Sequence, residues 1–185
     1  MRHVRHLNPA DAPVRRGLSS LALALVTSML LIAARPSHAG ENIPSFSATA
    51  LTGHSITPAD LLGKPTVLIL TPSKGAAADT RKWAKALRQL GPAARIRDVL
   101  AIDLPFFMSE SDAIGRAKAK IPARYYDQTW LMSSNTLESA LGVPPSSSNA
   151  FVFVVDAQGH VVARISGNPT QANLAQIQSA LKALG

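Results

Sequence analysis

From residue 40 onward the apolar positions switch repeatedly between a period of two and a period of three to four, which predicts strands alternating with helices in an α/β layer fold. Residues 46–50 and 55–56 flank Thr52-Gly53, a composition suited to a hairpin turn. Residues 66–71 form a continuous apolar, β-branched run, as a strand buried on both faces requires. Trp83, Leu87 and Leu90 then recur at helical spacing, and Gly91-Pro92 ends that helix. Residues 97–103 read as the next strand. Ser109 with Asp112 has the pattern of a capped helix start, the acid favouring the positive end of a helix that runs to about Lys120. Residues 129–132 form a short strand, and Asn135 with Glu138 opens a brief helix ending near Gly142. The clearest hairpin pairs residues 150–155 with 160–165 around Asp156-Ala157-Gln158-Gly159. Leu174, Ile177, Leu181 and Leu184 make the apolar stripe of a closing helix, with Thr170 as its N-cap.

The first 39 residues follow a different pattern. Arg2, Arg5, Arg15 and Arg16 precede an apolar run over 18–34 and then Ser37-His38-Ala39, the three parts of a secretory signal peptide with cleavage expected after Ala39. The other reading is a membrane anchor, but Ser19, Ser20, Thr27 and Ser28 interrupt the run, which falls short of the roughly 20 apolar residues of a span. Arg15-Arg16 invites a twin-arginine reading, yet Gly17 follows where that signal has a bulky apolar residue, so general secretion is expected. The chain thus divides into a signal peptide, 1–39, and one domain, 40–185, expected in the periplasm or outside the cell.

That division changes the charge. The leader holds five Arg and one Asp, so 19 basic against 11 acidic residues becomes 14 against 10, a net charge of +4 rather than +8. Lys82, Lys85, Arg88, Arg95 and Arg97 cluster along the chain and read either as a surface for an anionic partner or as a solvated helix face. No aromatic interleaving or nucleic-acid motif accompanies them, so the solvated face is expected and no nucleic-acid partner. The sequence has no cysteine, so an exported domain of this length must be held by its core and not by disulfides.

Pro44-x-Phe46, Leu51-x-Gly53-x-x-Ile56 and Asp60-Leu61-Leu62-Gly63-Lys64-Pro65 resemble the opening of TlpA-type and redoxin-type thioredoxin-like proteins. Phe153-Val154-Val155-Asp156-x-x-Gly159-His160-Val161-Val162, with Gly167 and a terminal helix, is similar to their closing ββα unit. The resemblance implies an α/β, thioredoxin-like fold: a central mixed β-sheet flanked by helices, with an N-terminal β-hairpin extension. Leu141-Gly142, the strand over 150–156 and Asn168-Pro169-Thr170 resemble cysteine-less branches, the bacterial periplasmic YtfJ-like proteins and, more distantly, mitochondrial ATP-synthase assembly factors.

In that family the junction between the buried strand and its helix carries a Cys-x-x-Cys pair. Here the slots fall on Gly75 and Ala78, within Gly75-Ala76-Ala77-Ala78. The family's cis-proline slot falls on Ala150, while Pro144 and Pro145 come too early; a cis bond there would cost about 3 kcal/mol, so a trans peptide is expected. Both halves of the thiol-disulfide site are missing, which excludes thiol-disulfide exchange and cysteine peroxidase chemistry.

Other chemistry is sparse. A helix opening near 75–78 offers N–H groups to an anion, carboxylate or peptide carbonyl, with Lys74 beside it and Thr71 and Ser73 as hydroxyl donors; the alternative is a capped helix facing water. His54 and His160 are the only histidines beyond the leader, and neither they nor Met108 and Met132 sit at metal-ligand spacing, so no metal is expected. No Gly-x-Ser-x-Gly elbow and no phosphate-binding glycine loop occurs, and no cofactor is implied. Phe106-Phe107 reads as a partner-facing patch or as a cover over the sheet edge. The proline-bearing loop over 142–149, ending at Asn149, reads as a binding loop or a connector.

The expectation is an exported, redox-inactive protein that acts by binding an envelope protein, in assembly or quality control, and meets the membrane only through its signal peptide. The alternatives are a thiol-independent enzyme in the same cleft and an accessory module of a thiol oxidoreductase.

Overall fold

In the computed structural model the described residues are 40–91, 95–101, 103–132 and 136–185, so the expected signal peptide lies outside them. Strand β4 (Thr66–Thr71) is the centre of the molecule, with every residue buried. Its alternation sends successive side chains to opposite faces. Val67 and Ile69 pack with Trp83, Leu87, Val152 and Ile177. Leu68 and Leu70 pack on the other face with Trp130, Met132, Leu137 and Phe153.

The remaining elements in chain order are β1 (Glu41–Asn42), β2 (Ala48–Ala50), β3 (Ser55–Ile56), α1 (Ala77–Arg88), β5 (Arg95–Ala101), α2 (Glu110–Lys118), β6 (Thr129–Met132), α3 (Thr136–Ala140), β7 (Phe151–Val155), β8 (His160–Ser166) and α4 (Gln171–Ala183). They form one sheet of order β1-β8-β7-β4-β5-β6-β2-β3. β4 runs parallel to β5, and β5 to β6, while β7, β8 and the β2–β3 hairpin join antiparallel. The sheet is therefore mixed and flanked by helices.

Local signals placed most of these elements. Ser109 and Asp112 form the reciprocal capping box of α2, and the Thr170 hydroxyl accepts from the Asn173 N–H at the start of α4. Gly53 turns the first hairpin with φ of 99°. The Trp83 indole N–H donates to the Gly167 carbonyl at 2.6 Å and ties α1 to the turn before α4.

Three expectations change. β5 starts at Arg95 and ends at Ala101, two residues earlier than the pattern indicated, because Arg95 pairs in register with Thr66 of β4. β1 was not expected; its two residues gain strand character only by pairing with β8. The basic cluster is not one solvated face. Lys82 and Lys85 are exposed on α1, but Arg88 lies 3.3 Å from Asp98 and 3.9 Å from the centre of the Tyr125 ring. Arg95 donates to the carbonyls of Asp60, Leu61, Leu62 and Lys64, so its charge holds a loop together. Asn135, expected to open α3, lies outside the described residues. Among the described residues no helix is long and apolar enough to cross a membrane.

Candidate functional site

The junction after β4 and the segments that surround it carry most of the residues singled out in the sequence. Thr71 is fully buried, its hydroxyl 2.7 Å from that of Thr80. The Thr80 hydroxyl in turn donates to the Ala76 carbonyl, which makes Thr71 the donor within the pair. Ser73 is extended, accepts from the Gly75 N–H and donates to the Ser147 carbonyl at 2.6 Å. The Ala76 N–H bonds to the Ser73 carbonyl and the Ala77 N–H to the Lys74 carbonyl. Of the two readings of this helix start, these bonds accord with the capped helix. The first three amides after Lys74 and both candidate hydroxyls are engaged within the chain, and Asp79 adds a negative charge to the first turn of α1. Lys74 is exposed.

Gly75 and Ala78 are exposed, Ala77 is half-buried and Ala76 is buried. A Cβ on Gly75 would lie 3.3 Å from the Ser73 hydroxyl and 3.6 Å from Ser148, so the loop before β7 closes directly over this position. Asn149 is exposed, and its N–H bonds to the Ser147 hydroxyl. Ala150 is completely buried with Trp83 and Ile177, so it is a core residue and not the wall of an open groove.

Phe106 and Phe107 lie at the same end of the sheet, on the loop leaving β5. The Met108 N–H closes a turn onto the Pro105 carbonyl at 2.8 Å, which puts the two phenylalanines at its central positions. Phe106 is fully exposed and Phe107 is 71% exposed, with ring centres 5.4 Å apart edge to face. They do not cover the sheet edge or the next helix.

The sequence pattern marks Glu138 only as a helix-start residue, yet the structure buries it. Its Oε1 has no hydrogen-bond partner, and burial, reinforced by the charge of Asp103, pushes its carboxyl up to about 7. No local signal marks this, since its burial follows from the seating of Leu137 and Leu141 in the core. His160 opens β8 and closes the hairpin turn: its Nδ1 lies 2.9 Å from Asp156, whose other oxygen accepts from the Gln158 and His160 N–H groups. Among the described residues no group of three or more metal-ligating side chains gathers.

No protein-family model and no curated relative matches the sequence. Solved structures do match. The thioredoxin domain of a thiol-disulfide oxidoreductase from Bacteroides vulgatus superposes with a TM-score of 0.56 at 17% identity, over 80% of this chain and 98% of that one. The chain has the thioredoxin-like fold. The pneumococcal exposed lipoprotein thioredoxin from Streptococcus pneumoniae gives a TM-score of 0.54 at 18% identity, over 76% of this chain and 100% of its own. The peroxidoxin BcpB from Mycobacterium tuberculosis gives 0.53 at 18% identity, over 80% of this chain and 98% of its own. At these identities the likeness shows the thioredoxin-like fold, and the chemistry must be argued from this chain's own residues.

Proposed function

We propose that this chain is an exported, redox-inactive thioredoxin-like protein that acts by binding an envelope protein, in its assembly or quality control. The observation that carries the reading is the Phe106–Phe107 pair, two large apolar rings in water at the end of the sheet where thiol chemistry is absent. Apolar side chains so displayed mark contact surfaces, and aromatic anchors dominate such contacts. Asp103, exposed on the same loop, and Glu110, which opens α2, give this end an acidic fringe and favour a partner with basic residues around its apolar contact.

Export rests on the three-part pattern over residues 1–39, and the resemblance to YtfJ-like proteins and, more distantly, mitochondrial ATP-synthase assembly factors rests on Leu141-Gly142, the strand over 150–156 and Asn168-Pro169-Thr170 together with the lack of cysteine. The test is affinity capture from envelope extract with wild-type protein and with a Phe106→Ser/Phe107→Ser variant. A species retained by the first and lost with the second supports the reading; identical profiles overturn it. N-terminal sequencing of the exported form, expected to begin at Gly40, checks the export step. Insulin reduction by the purified protein would contradict the redox-inactive assignment.

A further inference from the structure

The apolar stripe of β5 that faces Trp130 changes character along the strand. Ala101 and Val99 are buried core residues, but the next two positions on the same face are Arg97 and Arg95. These guanidiniums line a cleft of about 370 Å³ together with His54, Asp60, Asp127 and Trp130. The cleft lies at the start of β5, roughly 20 Å along the strand from the Phe106–Phe107 loop.

The charged groups here are not equivalent. Arg95 is occupied by its four carbonyl partners and builds the wall. Asp60 accepts from the N–H and hydroxyl of Thr57, while Asp127 accepts from the Trp130 indole at 3.1 Å through its main-chain carbonyl and not its carboxylate. Arg97 stands differently. Its Nη1 donates to the Ile96 carbonyl at 3.1 Å and its guanidinium lies 5.6 Å from the centre of the Trp130 ring, but no carboxylate pairs with it among the described residues. A half-buried guanidinium with donors to spare is a fork for an oxyanion.

We propose that this cleft binds a small oxyanion, a carboxylate or a phosphate, held by Arg97 with His54 at its rim. The charge balance supports the choice: burial and the like charge of Arg95 disfavour the Arg97 cation, whereas Asp127 and Asp60 favour it without reaching ion-pair distance. A bound anion supplies the missing partner. With Asp60 and Asp127 beside the two arginines, the lining is not the extended basic surface that a nucleic acid requires, and the ligand is a small species. This site does not depend on the partner surface proposed above.

Two indoles make the test clean. Trp130 Nε1–H bonds to Asp127 in the cleft wall, and Trp83 Nε1–H bonds to Gly167 on the opposite face of the sheet. The ¹⁵N-labelled protein is titrated with sodium succinate and, separately, sodium phosphate, with sodium chloride holding the ionic strength constant. The expected result is a saturable shift of the Trp130 indole resonance with an unmoved Trp83 resonance; which probe acts identifies the oxyanion. Arg97→Gln should weaken binding at least tenfold, Arg97→Lys less, and Lys74→Ala not at all. An unmoved Trp83 resonance in Arg97→Gln certifies its fold, and if that variant does not fold, Arg97→Lys carries the comparison. No saturable Trp130 shift with either probe, equal movement of both indoles, or wild-type affinity in the folded Arg97 variants overturns the proposal.

Discussion

The Ser73 hydroxyl donates to the Ser147 main-chain carbonyl at 2.6 Å, joining the end of β4 to the loop before β7 across 74 residues of sequence. Ser148 then lies 3.6 Å from where a Cβ on Gly75 would stand. The segment that follows β4 and the loop that enters β7 are thus bonded to one another. A surface closed in this way leaves the exposed Phe106–Phe107 turn as the prominent feature of this end of the sheet.

Ser73→Ala removes both the tie to Ser147 and the cap on Gly75. The expected loss of stability is about 1–2 kcal/mol in urea unfolding. Faster amide exchange at Asn149 should accompany it, while Lys74→Ala, an exposed change, stays within about 0.5 kcal/mol of wild type.

Arg95 donates to four loop carbonyls through two nitrogens, a geometry that a single ammonium does not reproduce. Arg95→Ala should lower stability by about 2–3 kcal/mol, and Arg95→Lys should recover little of it. Recovery of wild-type stability by lysine would mean that charge alone is sufficient.

Glu138 makes stability fall as pH rises. Its carboxyl stands at about 7 in the fold, against an ordinary value of 4.5, so the folded state holds the proton more tightly between these values. The Glu138 contribution is full below pH 4.5 and is lost as pH rises through about 7. Burial pushes Asp98 up to about 6 against the pull of Arg88, which adds loss in the same direction at lower pH. Asp112 runs the other way: hydrogen bonds from Ser109 hold its carboxyl low, so its contribution disappears in acid. Thermal unfolding should show a lower Tm at pH 8 than at pH 5. Glu138→Gln should match wild type at pH 5 and exceed it at pH 8, by at most about 3 kcal/mol.

Phe106→Ser/Phe107→Ser touches no core contact, so its Tm should lie within experimental error of wild type. Binding of a hydrophobic dye should drop, because the exposed edge-to-face pair is gone. A marked fall in Tm would assign the rings to the fold and not to a partner.

The sequence by itself determined the elements and the chemistry that is missing. Periodicity located β4, β6, the β7–β8 hairpin and α4, and the caps Ser109 and Thr170 marked helix starts, because these signals act between residues within one turn or one strand. The lack of cysteine needed no structure. Tertiary structure decided which polar groups are free. Thr71 and Ser73 looked like donors until Thr80 and Ser147 proved to receive them, and Arg95 looked like a solvated charge until the loop carbonyls closed around it. Glu138 became a buried acid and Phe106 an exposed ring through core packing and turn geometry. Such outcomes depend on contacts between segments far apart in the chain, and a polar group's availability is set by the partner that arrives only when the sheet has assembled.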